Sequence, residues 1–250
     1  MGVFAEQYCR RMIVAGIYVQ SNVFLAPITG YTDIAFRLLA ESYGAGVAFT
    51  EMVYVEDLLR GRRRAVESAR FDAQEPVRAL QLIGGDPSLF RLLCGSPLLS
   101  DVEWIDINMG CAIPEIVRSG RGYALVHDLQ RASGIIEACK SSGKAVSVKC
   151  RPGMDVKERS IQAFARMCED AGADLLTVHG RPGNQLHEGP VLYDSIADAK
   201  ACISIPVIAN GGIFSEEDAV AMMRQTGADG VMIGRRGLED SRIFAALTGL

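Results

Sequence analysis

The chain has 250 residues, with 26 basic and 30 acidic side chains and therefore a formal charge of −4. Its 49% hydrophobic and 22% charged content is that of a packed globular protein, which excludes a disordered chain, a collagen-like chain and a basic nucleic-acid tail. The mild acidity argues against a large polyanion as the only partner, while leaving room for a local basic face.

The seven cysteines, at positions 9, 94, 111, 139, 150, 168 and 202, are odd in number and form no C-x-x-C pair. No zinc ribbon, iron–sulfur cluster or other metal site is therefore expected. Irregular spacing fits a reduced, cytoplasmic chain. No apolar run approaches the ~20 residues of a membrane span. Arg10-Arg11 followed by Met12–Val19 has the outline of a secretory signal, but its apolar part is short and lacks a small-residue cleavage site. Residues 1–22 are read as a cap or first strand on a single domain covering 1–250.

Short apolar runs then alternate with helical patterns. Strands are expected at Val23–Pro27, Gly46–Thr50, Val77–Leu82, Trp104–Asn108, Ala145–Lys149, Leu175–Val178, Val207–Ala209 and Gly230–Ile233. Their starts lie 23 to 41 residues apart, room for a crossover helix each. Eight such runs, apolar almost throughout, predict a parallel sheet buried on both faces, closed as a (β/α)8 TIM barrel. The intervening helices carry their own signals. Asp86-Pro87 offers an N-cap and a first-turn proline; Ile161, Phe164, Ala165 and Cys168 recur at helical spacing; Ser215 opens another helix with three acids behind it. The recurring Ala171-Gly172-Ala173-Asp174 and Thr226-Gly227-Ala228-Asp229 each place a helix-stopping glycine before a strand.

Chemistry in this fold sits at the C-terminal strand ends. Those ends read Ala26-Pro27, Thr50-Glu51, Gln81, Asn108, Lys149, His179, Asn210 and Gly234-Arg235. Buried strands that all finish on polar groups need a partner or a bound ligand to satisfy them. Asn210-Gly211-Gly212 and Gly234-Arg235-Arg236-Gly237 follow the seventh and eighth strands, where phosphate sites of such barrels lie. Lys149 calls for an anion or an electron-rich ring, and Gln81 can offer a donor and an acceptor to a planar heterocycle. FMN meets these demands better than a sugar phosphate. Cys111 stands apart from the other cysteines, on a glycine-containing loop beyond the fourth strand, where a thiol can serve as acid, base or nucleophile.

At this point the sequence resembles the dihydrouridine synthases, FMN enzymes that reduce uridine in tRNA. The motifs are LAPITGYTD at Leu25–Asp33, TEMV at Thr50–Val53, QLIGGDP at Gln81–Pro87, DINMGC at Asp106–Cys111, VSVKCRPG at Val146–Gly153, TVHGR at Thr177–Arg181, PVIANGGI at Pro206–Ile213 and GADGVMIGRR at Gly227–Arg236. The resemblance implies that Gln81, Lys149, His179, Asn210, Gly211, Gly212, Gly234 and Arg235, with the Ala26-Pro27 strand end, hold FMN. It implies that Asn108 and Arg181 face the substrate, that Cys111 delivers a proton, and that NADPH reduces the flavin. The chain departs from the family pattern at Ala112, Glu115, Pro182-Gly183 and His187. The resemblance is to short, archaeal-type relatives, which implies a form expected to be without the C-terminal helical domain that helps grip tRNA. Two other readings stay open: an FMN oxidoreductase acting on a small free substrate, similar to dihydroorotate dehydrogenases, and a non-catalytic flavin-binding barrel. Arg60, Arg62, Arg63, Arg64, Arg118, Arg121, Arg151, Arg181 and Arg236 fall after strands, which suggests a basic rim for RNA phosphates.

Overall fold

The computed structural model describes residues 2–155, 161–185 and 188–250. Its main sheet is parallel and closes on itself. We number the barrel strands β1 (Val23–Leu25), β2 (Val47–Ala48, resuming at Val53–Tyr54), β3 (Ala79–Ile83), β4 (Trp104–Met109), β5 (Ala145–Cys150), β6 (Leu175–His179), β7 (Val207–Asn210) and β8 (Gly230–Ile233). Strand β8 pairs with β1 through Val231 and Val23, and a bridge between Phe49 and Ala79 joins β2 to β3. The expected barrel is present, at the expected eight positions.

One strand differs from expectation. The second was expected to run unbroken to Thr50, but β2 is interrupted there. The Thr50 hydroxyl accepts from the Gln81 amide at 3.1 Å, so a side chain takes the place of the next ladder carbonyl. Pairing resumes at Val53 opposite Leu82.

Two apolar layers follow from the strand alternation. Outward residues such as Leu80, Ile105, Val148, Val178 and Val231 are buried beneath the helices. Inward residues Phe24, Phe49 and Trp104 meet in the barrel, with centroids 6.0–6.3 Å apart and the indole edge-on to both phenyl rings. The helix signals are realised. Asp86 caps Pro87–Cys94 by accepting from Ser88, Ser215 and Asp218 form a reciprocal capping box on Glu216–Thr226, and Gly227 ends that helix with φ at 63°.

Residues 2–22 lie outside the ring. Val3–Gln7 is a short helix, and Met12–Val14 pairs antiparallel with Ile17–Val19 around Ala15-Gly16, both at positive φ. The hairpin's Val14 and Val19 join the interior cluster of Phe24, Phe49 and Trp104 and so close the barrel at its N-terminal end.

Candidate active site

Along each strand the inward residues change character. Strand β4 turns Trp104, Asp106 and Asn108 inward, β5 turns Ala145, Ser147 and Lys149, and β6 turns Leu175, Thr177 and His179. The apolar members fill the lower barrel, Asp106, Ser147 and Thr177 form a buried polar layer above them, and Asn108, Lys149 and His179 line a cleft of about 400 Å³ at the C-terminal end. Ala26, Pro27, Gln81, Asn108, Cys111, Lys149, His179, Arg181, Asn210, Gly211, Gly212, Gly234 and Arg235 all line it, so the structure brings every sequence-derived site residue to one place.

Beneath the cleft lies a hydrogen-bonded floor. Asp106, fully buried, accepts from Ser147 Oγ and from Gln81 Nε2, each at 2.6 Å. Asn108 donates to Gln81 Oε1 at 3.0 Å, and its own Oδ1 accepts from the amides of Gly110 at 3.2 Å and Cys111 at 2.9 Å. Lys149 Nζ donates to Asn210 Oδ1 at 3.1 Å, and Asn210 Nδ2 donates to the Met232 carbonyl at 2.8 Å. Asp106 and Ser147 were not anticipated as site residues. Their signal was the alternation itself, since each sits two residues before a polar strand end.

Burial sets the protonation energetics. It pulls the Lys149 ammonium down to about 8, helped by Arg151 and opposed by Asp106. It pushes the Asp106 carboxyl up to about 6, against the bonds from Ser147 and Gln81 and the Lys149 charge. The Cys111 thiol is also raised by burial, with the Ile113 amide, Arg151 and Lys149 pulling the other way. A neutral thiol and a nearby cation therefore coexist at neutral pH.

The far end of the cleft suits an anion. Gly211 and Gly212 have φ of 114° and 72°, and a Cβ on Gly211 would come within 2.8 Å of His179 Cδ2. Their backbones thus approach the cleft more closely than any other residue type allows. Arg235 stacks 5.4 Å from the Phe214 centroid, and the Arg181 guanidinium lies beside the same glycine turn. Arg181 was expected to face the substrate; it stands on the glycine side of the cleft, its Nε donating to the Gly189 carbonyl.

The basic rim is the expectation the structure corrects. Arg151 is only 5% exposed and clamps the Gly110, Arg181 and Pro182 carbonyls together. Arg121 pairs with Glu56 at 2.8 Å, Arg118 with Glu115 at 3.0 Å, Arg63 with Glu67 at 2.7 Å, and Arg236 lies 3.5 Å from Asp240. Arg62 and Arg64 are exposed, each about 4 Å from a carboxylate, at 4.0 Å from Asp57 and 3.9 Å from Glu51. Most of the positive charge is compensated locally. His187 lies outside the described residues. Among the described residues no group of three or more His, Cys, Asp or Glu could hold a metal, and no helix is long and apolar enough to cross a membrane.

Comparison with known proteins places this architecture. Residues 24–249 match the profile described as dihydrouridine synthase. The chain belongs to the dihydrouridine synthase family. It is 34% identical over 225 residues to tRNA-dihydrouridine synthase B of Vibrio cholerae, covering 90% of this chain and 70% of that one. To the synthase B of Pseudomonas aeruginosa it is 36% identical over 222 residues, 88% and 67% of the two chains. It spans 65% of the Pseudomonas putida synthase B. Among solved structures it resembles histamine dehydrogenase from Rhizobium sp. 4-9, with a TM-score of 0.69 at 14% identity over 94% of this chain and 46% of the other. FabK from Thermotoga maritima matches with a TM-score of 0.53 at 17% identity over 87% of this chain and 62% of that one. These two likenesses concern the barrel fold. Membership of the dihydrouridine synthase family makes the chain an oxidoreductase of the flavin-dependent type expected from its motifs.

Proposed function

We propose that this protein reduces uridine to dihydrouridine in tRNA, with FMN held in the barrel cleft and NADPH as the electron source. The reading rests most on one observation: a single cleft joins an anion-holding end at Gly211, Gly212 and Arg235 to a neutral thiol at Cys111, with Lys149 and Gln81 also lining it.

The residues present fit the cofactor. Gly211, Gly212 and Gly234 give backbone access at the phosphate end, and Arg235 supplies a charge-assisted partner there. After its bonds to Asp106 and Asn108, Gln81 keeps one N–H and one lone pair for a heterocycle edge. Ala26 and Pro27 form an apolar wall, and Lys149, His179 and Asn210 supply the remaining polar contacts. When bound, reduced FMN supplies hydride to one carbon of the uracil double bond.

The chain itself supplies the other half. Cys111 holds the proton for the second carbon, and its raised pKa keeps the thiol protonated near neutral pH. Asn108, by accepting from the Cys111 and Gly110 amides, fixes the loop that carries the thiol. Cys111 sits beyond β4 and Arg235 beyond β8, so the proton donor and the phosphate partner come from different walls of one cleft.

The test is tRNA from cells lacking this gene, incubated with the purified flavin-loaded protein and NADPH, with dihydrouridine measured by mass spectrometry. Dihydrouridine should accumulate in step with NADPH consumed. The compensated rim arginines favour the small free substrate as the second reading. With oxygen excluded, reduction of the bound flavin by NADPH with no dihydrouridine formed would select that reading.

A further inference from the structure

The hydrogen bonds beneath the cleft form a directed chain. Trp104 Nε1 donates to Ser147 Oγ at 2.8 Å, Ser147 donates to Asp106 Oδ1, Gln81 Nε2 donates to Asp106 Oδ2, and Asn108 Nδ2 donates to Gln81 Oε1. The chain ends where Asn108 Oδ1 accepts from the Gly110 and Cys111 amides. Both termini have a fixed sense. An ionised carboxylate only accepts and a backbone amide only donates, so the two carboxamides between them have one consistent orientation.

We propose that Asp106 is a positioning residue, whose acceptor-only carboxylate sets the sense of the Gln81 and Asn108 amides and thereby holds the Cys111 loop over the cleft. Asp106 lies at the buried floor and does not line the cleft; its charge is felt by Lys149, while its hydrogen bonds reach the Cys111 loop through this relay. The role of Cys111 as proton donor is the reading above; the loop geometry is independent of it.

Replacing the carboxylate by a carboxamide breaks the sense. In Asp106→Asn the new group has one donor side and one acceptor side. Were it to donate to Ser147, that hydroxyl, which already accepts from Trp104, would lose the acceptor for its own buried proton. Accepting from Ser147 instead, it must donate to Gln81, which turns Gln81 and then Asn108, and the Asn108 amino group meets the two loop amides head-on. A second substitution repairs this. In Asp106→Asn/Asn108→Asp the acceptor-only group stands at the loop end. It accepts from both amides and from a turned Gln81, and every member of the chain is again satisfied.

The experiment is alkylation of the thiols by iodoacetamide, followed by mass spectrometry of the individual cysteine peptides, at a pH above the Asp106 titration. Cys150 and Cys168, both fully buried, report on the rest of the barrel. Asp106→Asn should speed Cys111 alkylation by at least about tenfold, the effect of a lost loop hydrogen bond on local opening, with Cys150 and Cys168 still protected. The double variant should return Cys111 to within about twofold of the parent rate. An unchanged Cys111 rate in the single variant overturns the proposal, as does a double variant as reactive as the single one. Should the single variant expose Cys150 and Cys168 as well, the double variant decides. Renewed protection of all three thiols supports the relay, and continued exposure overturns it. None of these outcomes depends on the substrate, so a failed relay and a failed tRNA assignment remain distinct.

Discussion

The two ends of the barrel are built from the same strands and do opposite work. At the N-terminal end, Phe24, Phe49 and Trp104 pack edge to face under a hairpin plug, and the inward positions are as apolar as a domain core. Four residues further along β4 and β5, the same inward line carries Asn108 and Lys149. Moving about 13 Å up a strand thus exchanges packing for hydrogen bonding. The lower end provides the rigidity that lets the upper end keep a cation, a carboxylate and a thiol partly desolvated. Stability and ligand affinity should accordingly be separable by position along one strand.

The largest expected effect is at the lower end. Trp104→Ala removes a fully buried indole and should lower stability by about 3–5 kcal/mol in urea unfolding, while Trp104→Phe, which loses mainly the bond to Ser147, should cost less. At the upper end, Arg235→Ala should weaken FMN by about 1–3 kcal/mol in a fluorescence titration and leave the urea midpoint close to that of the parent. A drop in stability matching the loss of affinity would erase the division between the two ends.

Lys149 sharpens the comparison through pH. Its pKa in the folded protein is about 8, below the ordinary 10.5, so its charge is present below pH 8 and disappears above it. FMN affinity should therefore fall by roughly tenfold as pH rises through and beyond that value, with the midpoint displaced upward because the bound anion favours the charged form. In Lys149→Met the profile should be flat over this range. The smallest effect belongs to the exposed rim. Changing Arg62, Arg63 and Arg64 together to glutamine should lower tRNA affinity by less than about 1 kcal/mol per residue, because carboxylates already attend these side chains, and should leave FMN affinity untouched. The slope of log affinity against log salt measures this directly. A loss of two or more units in slope would show that the arginines exchange their carboxylates for phosphates.

What could be read from the sequence follows from range. The strand tops were legible because a polar residue closing an apolar run is a local signal, and all of them except Thr50-Glu51 converge on the cleft. Asp106 and Ser147 were hidden within strands, where only the alternation shows that they turn inward beside each other, 41 residues apart in the chain. The break in β2 depends on the Thr50 hydroxyl meeting an amide 31 residues away. The basic rim misled because counting arginines leaves out their neighbours. Glu56 reaches Arg121 across 65 residues, and Arg151 turns inward to bind three carbonyls.

The most direct test of the account separates the two half-reactions of the Cys111→Ala protein. The flavin is reduced anaerobically by NADPH, and tRNA is then added while flavin absorbance is followed. Reduction by NADPH should stay within about twofold of the parent, because Cys111 is placed to serve the substrate, while reoxidation by tRNA should slow by about 10²–10⁴-fold, the cost of removing a general acid. Reoxidation by tRNA at the parent rate would contradict the assignment of Cys111 as the proton donor, and with it the central reading of the cleft.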